Sequence, residues 1–128
     1  MSVKTVLKNI GVELTVEASL HFVRRILLKK LEAVTPQTLY ETIKRWDRGE
    51  LKEEEVLGSV DEQTWSIAKR LSQRFSKYLK YLTPELVLRW LRRDRPDLAS
   101  IILNHPKGIQ FLAWLLNAVL RRLGAVVS

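Results

Sequence analysis

The clearest chemistry in this sequence lies in a row of positive side chains within residues 59–82. At about 100° per helical residue, these cations fall in an arc of roughly 140° that no acidic residue interrupts. They are Lys69, Arg70, Arg74, Lys77 and Lys80. The apolar side chains fall in another arc of roughly 120°, which is expected to be the buried face: Ile67, Ala68, Leu71, Phe75, Tyr78, Leu79 and Leu82. Ordinary exposed faces mix charge signs, because opposite charges four residues apart stabilise a helix and like charges repel. The row therefore predicts a site for phosphate groups, with Ser66, Gln73 and Ser76 as hydrogen-bonding neighbours.

Further basic residues widen the set of candidate phosphate ligands. The segment after the row adds arginines, which suit forked contacts to phosphate: Arg89, Arg92, Arg93 and Arg95. The first fifty residues add Lys4, Lys8, Arg24, Arg25, Lys29, Lys30, Lys44, Arg45 and Arg48. The pattern does not decide which group faces nucleic acid. The alternative is a basic face that only aids solubility, or that pairs with an acidic segment of another subunit.

The overall charge favours a polyanionic partner. The chain has 128 residues, a net charge of +8 and a sequence pI near 10.0. Residues 51–62 hold one lysine and five acids, whereas residues 63–95 hold nine Lys or Arg and two acids. Such an excess predicts attraction to nucleic acid first and to an anionic membrane surface second.

The sequence carries no pattern typical of catalysis. It has no cysteine, which excludes disulfides, thiolate nucleophiles and cysteine-bound zinc. His21 and His105 lie far apart without a ligand pattern, and there is no glycine-rich phosphate loop, zinc-protease motif or nucleophile elbow. We therefore expect no enzyme, no cofactor and no metal. Signal-peptide and lipidation motifs are not expected either.

Helix-boundary residues predict an all-α fold. Thr35-Pro36 and Thr83-Pro84 each place a capping threonine before a proline, and Ser59 with Glu62 resembles a capping box. Gly49 and Gly124 are candidate helix ends. The predicted helices cover about 3–10, 13–33, 36–47, 60–82, 84–93, 96–104 and 108–123. Residues 50–58 are expected to form a solvated acidic connector with a short helical start.

We expect a long N-terminal helical arm followed by a compact helical bundle. The arm is predicted over residues 1–50, the acidic connector over 51–58 and the bundle over 59–128, within one cooperative domain overall. One apolar stripe of the arm comprises Val16, Leu20, Val23, Leu27 and Leu31. Phe22 and Ile26 point elsewhere, so this helix is expected to contact partners on two sides, as a subunit interface or as core.

The last predicted helix, residues 109–123, is apolar nearly all round. It is too short to span a bilayer, which needs about 20 residues. It is therefore expected to be a central core helix, with a subunit interface or contact with envelope lipid as alternatives. Packing anchors are expected at Trp46, Trp65, Trp90 and Trp114.

One segment resembles a known family. Residues 95–108, RPDLASIILNHPKG, cover about a tenth of the chain and resemble a stretch near the C-terminus of major capsid proteins from filamentous archaeal DNA viruses, the rudivirus, lipothrixvirus and tristromavirus types. The matching positions are Pro96, Asp97, Leu98, Ile101, Ile102, Leu103, Pro106 and Gly108. The apolar helix at 109–123 departs from the short tail of some members.

The resemblance implies a structural virion protein that coats double-stranded DNA. In that family, paired subunits wrap the duplex in a helical filament, hold it in A-form and neutralise phosphates without recognising bases. The partners would be duplex DNA and a second copy or paralogous coat subunit, and the location would be the virion.

Two other functions remain open on the sequence alone. A helix-turn-helix regulator over about 20–48 would place Thr38, Tyr40 and Lys44 near a groove, although Ala33 and Val34 stand where a glycine is expected in the turn. A helical accessory subunit of a nucleoprotein complex would bind RNA or a protein. Either would be cytoplasmic or nucleoid-associated.

Overall fold

The computed structural model describes residues 16–124, and every regular element in that range is helical. Residues 16–19 are helical, and Leu20 interrupts the helix before the next element. The elements that follow are α1 (His21–Leu31), α2 (Pro36–Asp47), α3 (Glu53–Leu57), α4 (Glu62–Arg74), a 3-10 helix (Ser76–Tyr81), α5 (Pro84–Asp94), α6 (Pro96–Asn104) and α7 (Gly108–Arg122). The predicted all-α class is confirmed.

Local chemistry sets most of these boundaries. Thr35 accepts a hydrogen bond from the amide of Thr38 at 3.1 Å, and Thr83 accepts one from the amide of Leu86 at 3.3 Å, so both predicted threonine caps are confirmed. Gly49 and Gly124 adopt φ of +74° and +80°, the left-handed conformation that ends helices.

The capping box predicted at Ser59 and Glu62 is wrong. Asp61 is the residue that caps α4, because its carboxylate accepts the amide of Thr64 at 2.7 Å. A carboxylate at this position satisfies an unpaired amide and also lies at the positive end of the helix dipole. α4 therefore begins two residues later than predicted.

Two apolar clusters form the core, and α7 contributes to both. The larger cluster joins α1, α2, α5, α6 and α7 around the almost fully buried Trp90 and Leu98. The smaller one joins α3 and α4 to the last turns of α7, around Trp65 and Val119. The prediction that the last helix is central to the core is therefore confirmed. Its apolar side chains are largely used in packing, whereas Ile109 is 41% exposed, and contact of this helix with lipid stays a prediction.

The described part of the predicted N-terminal arm belongs to the bundle. Val16, Leu20, Val23 and Leu27 of the predicted stripe are buried in the larger cluster, while Ile26 packs against the smaller one. α1 thus has neighbours on two sides, as expected, and both sides are core. Residues 1–15, with the candidate ligands Lys4 and Lys8, lie outside the described residues, so an arm there stays a prediction.

Arg95 joins the two halves of the chain. Its guanidinium donates hydrogen bonds to the carbonyls of Leu31 at 2.5 Å and Val34 at 2.7 Å, which lie at and after the end of α1. It also forms an ion pair with Asp97 at 3.0 Å. Arg95 therefore satisfies carbonyls that a helix end leaves unpaired, which is a structural role rather than the phosphate contact first considered.

Candidate nucleic-acid interface

α4 presents two of its cations, Arg70 and Arg74, on the side opposite its buried side chains. Trp65, Ala68 and Ser72 are buried, with at most 3% of each residue exposed. At about 100° per residue, the direction opposite this stripe passes within roughly 30° of Arg70 and Arg74. Both arginines are exposed. The packing of α4 therefore aims them directly at solvent.

The 3-10 helix after α4 continues the row. Lys77 and Lys80 are exposed, and three residues per turn place them on the same side, about 6 Å apart along the axis. The continuous helix predicted over 60–82 is wrong: after Phe75 the backbone tightens to i,i+3 hydrogen bonds, such as Tyr78 to Phe75 at 2.9 Å. The tightening comes just before Pro84, which cannot continue a helix in the same direction.

The buried face of α4 differs from the predicted one. Ile67, Leu71 and Phe75 were expected to be buried, yet Ile67 is 45% exposed and the other two are only partly buried. Trp65 supplies the anchor instead. Ser72 can be buried because its hydroxyl donates to the carbonyl of Lys69 at 2.8 Å and lies 3.3 Å from the carbonyl of Leu123. An apolar margin is therefore left beside the cations.

Five cations of this region are exposed and have no carboxylate within 4.0 Å among residues 16–124. They are Lys69, Arg70, Arg74, Lys77 and Lys80, named here the basic surface. Each was a candidate from the sequence, and they lie on two consecutive elements, α4 and the 3-10 helix. The positive charge of this surface is thus uncompensated within the described part of the chain.

Several other predicted ligands are engaged in ion pairs. Arg24 contacts Asp94 at 2.6 Å and Arg45 contacts Glu55 at 2.8 Å. Weaker, more exposed pairs join Arg48 to Glu50 at 3.4 Å, and Arg89 and Arg93 to Glu17 at 3.9 and 3.8 Å. Their charge is partly neutralised by their own chain, which makes them poorer phosphate ligands than the basic surface.

The short helix predicted within the acidic connector is confirmed, but the connector is packed against the bundle rather than being the solvated loop predicted for residues 50–58. The connector contains α3, whose Leu57 is buried in the smaller cluster. Glu53 pairs with Arg121, and Glu54 pairs with Arg122 at 2.9 Å. With Glu55 held by Arg45, α3 is anchored to α2 and α7 by charge as well as by packing. Its three glutamates are therefore engaged away from the basic surface.

The remaining candidates are distributed over other helices. Arg25, Lys29, Lys30, Lys44 and Arg92 have no ion pair within the part of the chain that the structure describes. Arg25 lines an open groove between α1 and α4 together with Phe22 and Ile67, so it adjoins the basic surface. Partial burial lowers the pKa of Lys30, which makes this lysine a less favourable free cation.

Sequence reasoning missed one aromatic side chain of the interface. Tyr81 ends the 3-10 helix with 41% of its surface exposed, and the ammonium of Lys80 lies 5.2 Å from its ring centre. An exposed ring beside cations can stack on a base or pack on a sugar. The signal in the sequence was an aromatic residue directly after a lysine in a basic segment. It was obscured because the neighbouring Tyr78 was assigned to the apolar face.

The helix-turn-helix alternative gains no support from the packing. α2 packs mainly on α6 and α7, whereas α1 packs on α4 and α5. In a helix-turn-helix the two helices pack on each other, so that the second projects into the groove. Tyr40 and Lys44 are exposed, but Thr38 is engaged in the N-terminal cap of α2.

Comparison with protein-family models, with curated proteins and with solved structures found no match to this chain. No helix within residues 16–124 combines the length and apolar character needed to cross a membrane. Over the same residues there is no cluster of three or more histidine and carboxylate side chains that could hold a metal ion.

Proposed function

We propose that this protein binds the phosphate backbone of nucleic acid, without selecting base sequence, through its basic surface. The observation that carries the proposal is that the five cations of the basic surface have no carboxylate partner among residues 16–124 and lie on two consecutive elements. Arg24, Arg45 and Arg121 are instead neutralised by acids of other elements. The other unpaired cations are spread over α1, α2 and α5: Arg25, Lys29, Lys30, Lys44 and Arg92. Uncompensated like charges on one surface destabilise the fold unless a polyanion approaches.

The chemistry of the surface suits backbone contact better than base selection. Lysine is a flexible point charge, and three of the five cations are lysines. The neighbouring Ser66, Gln73 and Ser76 are exposed and can donate hydrogen bonds to phosphate oxygens. Base selection instead needs side chains held at base edges within a groove.

We extend the proposal to a structural role, in which the protein coats and packages double-stranded DNA in a helical filament. The resemblance of residues 95–108 to capsid proteins of filamentous archaeal viruses suggests this role. Within residues 16–124 the basic surface lies on α4 and the 3-10 helix, which leaves other helices of the bundle for contacts between subunits. The subunit would then pair with a second copy or a paralogous coat protein.

The test is a titration of unrelated, random-sequence DNA duplexes with the purified chain at about 50 mM and about 200 mM salt. We expect equal affinity for all sequences and a steep loss of affinity with salt. The coat role also predicts cooperative binding, a shift of the circular dichroism of the duplex toward A-form, and filaments by electron microscopy.

Each other result has a distinct meaning. A strong preference for one duplex would favour a sequence-specific regulator. A preference for single strands or RNA would favour an accessory subunit of a nucleoprotein complex. Absence of binding at the lower salt concentration would refute the proposal. Equal binding to all sequences without a shift of the duplex toward A-form and without filaments would support backbone binding but refute the coat role.

A further inference from the structure

An apolar cavity of about 280 Å³ lies between the two core clusters. All seven α-helices, α1 to α7, contribute to its lining, with side chains such as Leu39, Val87 and Leu112. Protein interiors contain few voids larger than a water molecule. An engineered apolar cavity of about 150 Å³ takes up benzene, and scaling from its six carbons gives room here for roughly eleven carbons.

The few polar side chains along the cavity carry a net positive charge. They are Lys30, Thr42, Arg45 and Glu55. Arg45 and Glu55 neutralise each other at 2.8 Å. Lys30 has no carboxylate within 4.0 Å in the described range, although it is partly buried. A partly buried ammonium without a counter-ion is stabilised by an anion beside it.

A second unpaired group belongs to the same cavity. Trp65 lines it and is 3% exposed, and its indole Nε1 has no hydrogen-bond partner among the described residues. Buried indole N–H groups usually find an acceptor. α3 covers the cavity with Val56 and Leu57, and ion pairs to α2 and α7 hold it there. The cavity is thus a mostly apolar, partly open space, and two of its lining residues, Lys30 and Trp65, carry donors without acceptors among the described residues.

We propose that this cavity binds a small amphiphilic carboxylate of about eleven carbons, with its apolar chain inside the bundle and its carboxylate at Lys30. The site is separate from the basic surface, so the inference does not depend on nucleic-acid binding. Apolar walls offer few hydrogen bonds to water, which favours a hydrocarbon chain in the cavity, while the carboxylate supplies the acceptor that Lys30 lacks.

The test is calorimetric titration of the full chain with saturated carboxylates of increasing length, from hexanoate to hexadecanoate. We expect saturable binding of one molecule, with affinity rising about fourfold per methylene and levelling off near undecanoate. The proposal would be overturned if affinity kept rising with chain length, because a cavity of fixed volume must limit the chain that it holds. It would also be overturned if no carboxylate of the series bound saturably.

Two neighbouring lysines give a matched pair of variants. Lys30→Gln should weaken undecanoate binding at least about tenfold and leave undecanol binding unchanged, since only the charged head loses its partner. Lys29→Gln removes the same charge from an exposed side chain that does not line the cavity, and should change neither. Equal effects of the two variants would refute the assignment of the head group to Lys30.

A filling variant locates the chain. Val87→Phe adds bulk to the wall of the cavity and should abolish undecanoate binding, provided that circular dichroism shows the helical content of the parent. Undiminished binding by a folded Val87→Phe protein would place the ligand elsewhere and refute the cavity as the site. If this variant does not fold, the length series on the unmodified chain still decides.

Discussion

Removing three cations of the basic surface should reduce both the affinity for duplex DNA and its dependence on salt. The variant is Arg70→Gln/Arg74→Gln/Lys77→Gln. All three side chains are exposed and have no ion pair among residues 16–124, so the substitutions remove no described salt bridge. Glutamine keeps similar length and helix propensity, which limits the effect on folding.

Counterion release sets the expected size of the effect. If each of the five cations neutralises one phosphate, the slope of log K against log salt is about −4.5, and affinity falls roughly 500-fold between 50 and 200 mM. With two contacts left, the slope is about −1.8 and the same change of salt costs roughly twelvefold. At 100 mM salt the variant should bind roughly 500-fold more weakly than the parent.

Fluorescence anisotropy of a labelled random duplex measures both quantities in one series. The control is Lys44→Gln/Arg48→Gln/Lys52→Gln, which removes the same charge from exposed positions on and after α2. A general effect of net charge would weaken both variants alike, whereas a localised contact affects only the first. Equal salt slopes for the two triple variants would therefore refute the assignment of the interface to α4 and the 3-10 helix.

Four further predictions concern stability and are measured by denaturant or thermal unfolding. Arg95→Ala should lower the free energy of unfolding by about 1–3 kcal/mol, because the carbonyls of Leu31 and Val34 lose their donor. Gly108→Ala should cost about 1–3 kcal/mol, since an added Cβ would overlap the carbonyl of Ile102, and an unchanged midpoint would contradict this close approach. Thr83→Ala should cost about 1 kcal/mol through the lost cap of α5, with Thr83→Ser as the variant that retains it. The hydrogen bond from Arg45 lowers the pKa of Glu55, and that from Lys107 lowers the pKa of Asp47. Each of these pairs therefore contributes stability that is present above the unfolded pKa values near 4. The contribution is lost as the pH falls through the lower folded pKa values. The melting temperature should therefore drop below about pH 4, and less so in Glu55→Gln.

Boundaries set by neighbouring residues were predictable from the sequence. The helix predicted over 96–104 is α6, Pro96–Asn104, and the start predicted at Pro36 is the start of α2. A threonine followed by proline needs only its own backbone to begin a helix, because the side chain caps the first amides and the ring fixes φ.

Features that depend on distant residues were not predictable in this way. The buried face of α4 includes Ser72, whose burial depends on a carbonyl near the end of α7, 51 residues away. The acidic connector was expected to be solvated because its partners, Arg121 and Arg122, lie 68 residues further along the chain. Tertiary contacts thus decide which charges remain free, and with them the extent of the candidate site.

The segment that resembles capsid proteins has a structural explanation for its residues in this fold. Pro96 stands in the first turn of α6, Leu98 and Ile102 are buried, and Gly108 lies against the carbonyl of Ile102. Helix boundaries and packing account for each of these residues without nucleic acid. The resemblance therefore bears on how the bundle is built, and the functional proposal depends on the basic surface.

The neutral residues among the cations argue for a ligand at that surface. Ser66, Gln73 and Ser76 are exposed beside the cations, where an acid would relieve repulsion between like charges. Elsewhere the chain uses acids in this way, since all three glutamates of α3 pair with arginines of other helices. A face that only aided solubility would gain stability from an acid at these positions. A phosphate-binding face would lose affinity from it, and serine and glutamine instead add hydrogen bonds to the bound phosphates.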